Sequence, residues 1–235
     1  MKYLFAASTL FAAVLLSAGF AGAQKSDPAK EALQGMQELI GGWKGTGSTF
    51  IGKSEFWKEA AEWSWKFKGK DVFFGGDMKE SKLYKAGELR YIPGISKFQL
   101  TLTDKKDNRL VFEGELKKDK LTVERLDPAT KETTKVEINT AANGDRLIYT
   151  FWVKPENRTI FNKASQFAYT REGVTFASVG GNKKPECCVT GGLGTSTVTF
   201  GGATYYVCCT GCRDAFNDNP AKIVAEFLAK KKAGN

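Results

Sequence analysis

The chain has 235 residues, a formal net charge of +9, five cysteines and no histidine. This length suits one medium-sized domain followed by a small module. Because histidine is absent, the Ser-His-Asp arrangement and the usual general base are excluded, and we expect a protein that is not an enzyme. The lysines are scattered over turns and polar faces, which favours a solvated surface over a nucleic-acid site. Weak attraction to an anionic envelope surface is the alternative.

Residues 1–23 have the pattern of a secretory signal peptide. Lys2 supplies the positive start, the run from Leu4 to Leu16 is almost continuously apolar, and Ala21-Gly22-Ala23 resembles an A-x-A cleavage site. The apolar run is shorter than the roughly 20 residues that a membrane span needs. We therefore predict cleavage before Gln24 and a periplasmic or secreted protein without a transmembrane segment in the mature chain. An uncleaved N-terminal anchor is the alternative.

The segment 24–40 contains a predicted N-terminal helix. Asp27-Pro28 is typical of an N-cap followed by proline at the first helical position. Apolar residues then recur at helical spacing, namely Leu33, Met36, Leu39 and Ile40. Gly41-Gly42 ends this pattern, so we predict one short amphipathic helix over 28–40 that packs on the next part of the chain.

From residue 41 to residue 172 apolar residues alternate with polar ones, as in strands with one buried and one solvated face. The alternating apolar positions include Trp63, Trp65, Phe67, Phe98, Leu100, Leu102, Leu121, Val123, Leu147, Tyr149, Phe151 and Val153. Polar turns separate these runs at a spacing that predicts roughly eight to ten short strands in a sandwich or barrel. No helix-length segment interrupts them, so we predict an antiparallel meander. Closure into a barrel would remove exposed sheet edges.

Two positions at the ends of this region carry a resemblance. Gly41-Gly42-Trp43 is a G-x-W at the first strand, and Tyr169-Thr170-Arg171 ends the last strand. A first-strand G-x-W with a late arginine resembles the lipocalin-like (calycin) β-barrels, in which the arginine packs over the tryptophan and closes one end. The resemblance implies that Trp43 and Arg171 are core residues. Such a barrel either holds one small apolar ligand or fills itself with side chains, and the sequence leaves both open.

A second unit comes after the predicted barrel. Residues 173–184 lose the alternation and are turn-rich and charged, so we predict a linker there and a module over 185–235. A strand pair is implied between the cysteines, a short helix begins at 210–216, and Asn219-Pro220 starts a final helix through Lys230. The fold prediction is therefore mainly β: an antiparallel lipocalin-like barrel, then a small ββα cysteine-rich module with a C-terminal helix.

All five cysteines lie in this module, and their spacing predicts a thiolate site. Cys187, Cys208 and Cys212 form the pattern C-x20-C-x3-C. Cys208 and Cys212 are one helical turn apart at a strand-to-helix corner, and a hairpin returns Cys187 to the same point. Soft sulfur ligands favour zinc and copper(I) over magnesium and calcium. Metal binding would also supply folding free energy to a module this small.

The module closely resembles the YHS/TRASH family of small heavy-metal-binding domains. The matching residues are Cys187, Val189-Thr190-Gly191, Gly202, Tyr205-Tyr206, Cys208, Gly211-Cys212, Phe216 and Asn219-Pro220. The resemblance implies that Cys187, Cys208 and Cys212 are the metal ligands and that the function is metal sensing, trafficking or resistance. Cys188 stands where many members have proline and could replace Cys187. Cys209 is an additional thiol, either a fourth ligand or a redox partner.

The sequence leaves other interpretations of these thiols open. Exported small domains often use disulfides, although five thiols leave one over. Cys209 and Cys212 form a C-x-x-C, but the βαβ context of a thioredoxin-like fold is missing. We predict an exported protein that binds a soft transition metal for trafficking, storage or resistance in the bacterial envelope. The alternatives are a small-ligand carrier with a structural metal module and a thiol-redox protein.

Overall fold

The structure is a computed structural model that describes residues 27–78, 80–142, 144–173 and 185–233. The elements of the barrel region are α1 (Pro28–Gln34), a 3-10 turn (Gln37–Leu39), β1 (Gly41–Thr49), β2 (Phe56–Lys68), β3 (Asp71–Asp77), β4 (Tyr84–Ile92), a 3-10 turn (Pro93–Ile95), β5 (Lys97–Asp104), β6 (Arg109–Lys117), β7 (Lys120–Leu126), β8 (Thr133–Ala141), β9 (Arg146–Lys154) and β10 (Asn162–Arg171). The module contains β11 (Ser196–Phe200), β12 (Ala203–Val207), α2 (Thr210–Asp218) and α3 (Pro220–Ala233).

Strands β1 to β10 form a closed antiparallel barrel in which each strand pairs with its neighbours in the chain. The barrel closes because β1 pairs with both β2 and β10, and this last pairing places Trp43 opposite Arg171. The predicted meander and its closure are therefore confirmed. The ten strands lie at the upper end of the predicted number.

The barrel interior contains the alternating apolar residues. The predicted inward positions are buried, with Phe67 and Val153 half-buried at the strand ends. Trp63 occupies a notch that glycine provides, because a Cβ on Gly76 or Gly87 would lie less than 3.0 Å from its ring. The pattern of period two thus predicts the interior correctly, and large aromatic side chains such as Trp63 and Trp65 are fully buried in it.

The segment before β1 differs from the prediction. One helix was expected over 28–40, but α1 ends at Gln34 and is followed by a separate 3-10 turn. Gly35 caps α1, and glycine is the residue after proline that least favours a helix interior. Leu33 and Leu39 are nonetheless fully buried, so the apolar stripe packs on the barrel as predicted. The Asp27 side chain accepts a hydrogen bond from the backbone of Ala29, which confirms the N-cap.

Two predictions fall where the structure gives no description. The signal peptide over 1–23 lies outside the described residues, as does the linker over 173–184 apart from Gly173. In the part of the chain that is described, no helix combines the length and the apolar character needed to cross a bilayer.

The module is the predicted hairpin followed by two helices. β11 and β12 pair around Gly201 and Gly202, which both have positive φ as a type I′ turn requires. α3 begins at Pro220, where the Asn219 side chain accepts a hydrogen bond from the backbone of Lys222. The final helix therefore starts as predicted and continues three residues past the predicted end.

Helix α2 packs directly on strand β2 of the barrel. A Cβ on Gly211 would lie 1.8 Å from the carbonyl oxygen of Trp65, a distance that no side chain tolerates. The absence of a side chain at Gly211 therefore allows the helix to approach the strand backbone. This contact fixes the cysteines at the start of α2 against the wall of the barrel.

We expect Gly211→Ala to weaken this contact. The added methyl group forces α2 away from β2, and overpacking of this kind costs about 1–3 kcal/mol of the free energy of unfolding. Denaturant unfolding checks the change, with Gly94→Ala as the control because a Cβ on Gly94 meets no atom within 4 Å. If Gly211→Ala unfolds at the same denaturant concentration as the wild type, α2 does not dock on β2 in this way.

Candidate metal centre

Three cysteines converge where the hairpin of the module meets α2. Cys187 forms a parallel bridge with Tyr206 of β12, and its backbone N–H donates to the carbonyl of Gly192 at 2.6 Å. In the next turn the N–H of Gly191 donates back to the carbonyl of Cys187 at 2.8 Å. Gly191 has a φ of +79°, which favours glycine. The turn thus returns the chain toward β12 and holds Cys187 beside its C-terminal end.

The other two cysteines lie on either side of the start of α2. Cys208 directly follows β12, Cys209 is the N-cap of α2, and Cys212 is the third residue of the helix. The hydroxyl of Thr195 donates to the carbonyl of Cys208 at 3.0 Å and fixes the corner. Helix N-termini favour negative charge, so this position stabilises thiolates.

The sulfur atoms of Cys187, Cys208 and Cys212 all lie within 4.8 Å of one another, and those of Cys208 and Cys212 are 3.5 Å apart. In a tetrahedral zinc centre with Zn–S bonds of about 2.3 Å, sulfurs lie about 3.8 Å apart. The observed separations match this value after movements of less than about 1 Å. The three thiols therefore have the chemistry and the spacing to hold one thiophilic ion.

The three thiols are shielded from water and hydrogen-bonded to one another. Cys187 and Cys212 are 0% exposed and Cys208 is 5% exposed. Hydrogen bonds from Cys208 and Cys212 lower the pKa of Cys187. The hydrogen bond to Cys187 raises the pKa of both donors, and burial adds to the increase. The cysteines of the cluster therefore share their protons, and their titration belongs to the group as a whole.

Cys209 and Cys188 occupy different positions relative to this cluster. The sulfur of Cys209 lies 3.9 Å from that of Cys208, but Cys209 is not part of the group that lies mutually within 4.8 Å. A hydrogen bond from Cys208 lowers the pKa of Cys209 to about 3. Cys188 is buried outside the group, and burial raises the pKa of Cys188 to about 11. The structure thus brings together the three cysteines of the predicted pattern and places Cys209 beside them.

Several residues around the cluster were not identified from the sequence as part of a site. The hydroxyl of Thr190 lies 3.6 Å from the sulfur of Cys208 and can donate to its thiolate. Arg171 and Cys208 line the same cavity between the barrel and the module, together with Gln37 and Glu186. Two of these residues carry a sequence signal: Thr190 belongs to the stretch that resembles YHS/TRASH domains, and Arg171 is the arginine at the end of the last predicted strand.

Arg171 connects the closed end of the barrel to this cavity. Its guanidinium lies 4.3 Å over the ring of Trp43 and donates to the carbonyls of Glu38, Ile40 and Gly144 at 2.6–3.0 Å. Burial lowers the pKa of Arg171, whereas nearby negative groups, Cys208 among them, raise it. The stacking expected of Trp43 and Arg171 is therefore observed, and the arginine also lies near a candidate metal ligand.

The barrel interior was the other candidate site. Glu59 is buried there at 2% exposure and accepts hydrogen bonds from Trp57 Nε1, the backbone of Lys82 and the hydroxyl of Tyr169. An interior void beside Tyr169 measures about 10 Å³, which holds about one water molecule. The barrel architecture is consistent with a ligand carrier, but this void admits a larger ligand only if side chains move.

Comparison with known proteins gives no named function. No family model matches the chain, and no curated protein matches it. Among solved structures, the chain is similar to the crystal structure of Rv2717c from M. tuberculosis, with a TM-score of 0.39 and 19% identity over 60% of this chain and 97% of that chain. The resemblance of 185–235 to YHS/TRASH domains therefore stays a prediction.

Proposed function

We propose that this chain is an exported protein that binds one thiophilic transition metal ion through Cys187, Cys208 and Cys212, and that it serves metal trafficking, storage or resistance. The observation that carries the proposal is the buried group of three thiols whose sulfurs lie within 4.8 Å of one another. Zinc and copper(I) are the ions that such a sulfur donor set favours.

Three further observations support the proposal. The five thiols are free, and all lie among the described residues, so the disulfide alternative has no bridge in this structure. Cys209 is close enough to Cys208 to supply a fourth sulfur after a small rotation. The same three cysteines carry the resemblance to heavy-metal-binding YHS/TRASH domains, and the signal-like residues 1–23 support export.

The role of the barrel in this proposal is structural. Its wall supports α2 through the contact at Gly211, and its closed end contributes Arg171 to the cavity beside Cys208. A carrier function would need a larger cavity than the void beside Tyr169 provides. In this proposal the module binds the metal and the barrel supports it.

Titration of the fully reduced protein with Zn²⁺ tests the proposal. We expect one ion per chain and the release of protons on binding, because a thiol loses its proton when it becomes a thiolate ligand. Calorimetry in buffers of different ionisation enthalpy measures the number of protons. If neither Zn²⁺ nor Cu(I) binds at a ratio of one to the reduced chain, the proposal is wrong.

A further inference from the structure

A cavity of about 300 Å³ lies between the closed end of the barrel and the module. We call it the interface cavity and define it by Gln37, Arg171, Glu186, Gly192 and Cys208. A water molecule needs about 10–15 Å³ of cavity volume of this kind, so the cavity holds a metal ion with a full shell of six waters. Cys208 lines the cavity, whereas Cys187 and Cys212 are completely buried, so the cavity reaches the cluster through Cys208.

Two oxygen atoms lie over a pair of glycines in this cavity. A Cβ on Gly191 would lie 3.3 Å from Oε1 of Glu186, and a Cβ on Gly192 would lie 3.5 Å from Oε1 of Gln37. The lack of a side chain at Gly191 therefore leaves room for the Glu186 oxygen, whereas the Gln37 oxygen lies at ordinary contact distance from Gly192. Oε1 of Gln37 is buried and has no hydrogen-bond partner among the described residues. A buried acceptor without a partner is costly, and a cation near it would remove that cost.

The charges around the cavity favour a cation. Glu38 and Glu186 both line it, against the single positive charge of Arg171. The guanidinium of Arg171 is already committed to three backbone carbonyls and to the ring of Trp43. One net negative charge therefore remains on the wall, where the exposed carboxylate of Glu186 can replace water around an ion, and the amide oxygen of Gln37 can follow when its side chain rotates.

We infer that the interface cavity is a transit site through which a hydrated divalent cation reaches the cysteine cluster, with Glu186 and Gln37 as its temporary oxygen ligands. The inference rests on the proposed function, since it describes how the same centre is loaded. The inference also favours zinc over copper(I) as the bound ion. Zinc accepts oxygen as well as sulfur ligands, whereas copper(I) selects sulfur.

Transfer through this site is a ligand exchange without redox change. Metal–water bonds break as the oxygens of Glu186 and Gln37 bind the ion. The bonds from the ion to these two oxygens then break as the sulfur of Cys208 binds the ion. The sulfurs of Cys187 and Cys212 bind it next. The protons of the ligand thiols leave to solvent water as the metal–sulfur bonds form.

The double variant Glu186→Gln and Gln37→Leu of the full chain tests the inference. Cd²⁺ serves as the probe, because thiolate binding produces an ultraviolet charge-transfer absorbance that stopped-flow mixing can follow. We expect the association rate constant to fall about tenfold, because the variant lacks the negative charge of Glu186 that attracts the cation and the oxygen of Gln37 that binds it. Release to a chelator should slow by the same factor and Kd should stay unchanged, because a transit site lowers the barrier in both directions.

Glu156→Gln is the matched control, because Glu156 is an exposed carboxylate in the loop at the opposite end of the barrel. Unchanged rates in the double variant overturn the inference. Faster uptake also overturns it, since that result means that an anionic complex delivers the metal. A higher Kd in the double variant shows that these residues stay bound to the ion as permanent ligands, and it overturns the transit assignment. If the wild type binds no Cd²⁺, the proposed function fails and the inference fails with it.

Discussion

Serine at Cys187, Cys208 or Cys212 should abolish tight binding of the metal ion. Each of these sulfurs lies within 4.8 Å of the other two, so under the proposed function each binds the ion directly. A serine hydroxyl stays protonated near neutral pH and is a poor ligand for a soft ion. We expect Kd to rise by roughly a hundredfold or more, since structural zinc sites distribute about 10–16 kcal/mol over their ligands. Competition with a chromophoric chelator under reducing conditions measures this change.

The two remaining cysteines supply the graded controls. Serine at Cys209 should weaken binding by up to about tenfold, because its sulfur lies 3.9 Å from Cys208 and can become a fourth ligand. Serine at Cys188 should have the smallest effect, because Cys188 is outside the group of three sulfurs. If Cys188→Ser abolishes binding while Cys187→Ser does not, Cys188 is the ligand and the proposed register is wrong by one residue.

The barrel could be predicted because the alternation of apolar and polar residues repeats from strand to strand. An inward tryptophan or leucine every second residue, as at Trp63, Trp65 and Leu100, requires an extended strand with one buried face, and polar turns mark where each strand ends. Gly35 shows the limit of this method. The apolar stripe continues across it at helical spacing, but the backbone does not, since one glycine costs about 1 kcal/mol in a helix.

Glu59 is a buried carboxylate that the sequence analysis did not single out. It belongs to the inward set of β2 together with Ala61 and Trp63, so the alternation itself places a carboxylate inside the barrel. Its hydrogen-bond partners could not be predicted, because Lys82 and Tyr169 come from strands and loops far away in the chain. A pattern of period two predicts which face a residue takes and not which groups it contacts there.

The three candidate ligands of the centre could be predicted from the sequence, but the residues that surround them could not. The spacing of Cys187, Cys208 and Cys212 is local to the module, and the hairpin and α2 bring them together as expected. Gln37 and Arg171 reach the same cavity from the barrel region, outside the module that carries the cysteines. Their placement depends on how the module docks on the barrel, which no local pattern encodes.

Loss of Arg171 should strongly destabilise the closed end of the barrel. Its guanidinium donates four hydrogen bonds to three carbonyl oxygens, those of Glu38, Ile40 and Gly144, and stacks on Trp43. These carbonyls belong to the segment before β1 and to the β8–β9 loop, so one side chain joins both to the end of β10. Hydrogen bonds to charged groups each contribute about 1.5–3 kcal/mol, and a cation–π contact adds about 0.5–2 kcal/mol.

Arg171→Met should therefore lower the free energy of unfolding by about 4–6 kcal/mol, since methionine keeps the length of the side chain but leaves the three carbonyls without their donor. Thermal and denaturant unfolding measure the loss. Lys44→Met is the matched control: Lys44 lies at the same end of the barrel, is 73% exposed and pairs only with Glu172 among the ion pairs of the described residues. Removing this exposed charge should change stability by less than about 0.5 kcal/mol. Equal losses in the two variants would mean that charge alone matters, and the carbonyl contacts of Arg171 would then not be what closes the barrel.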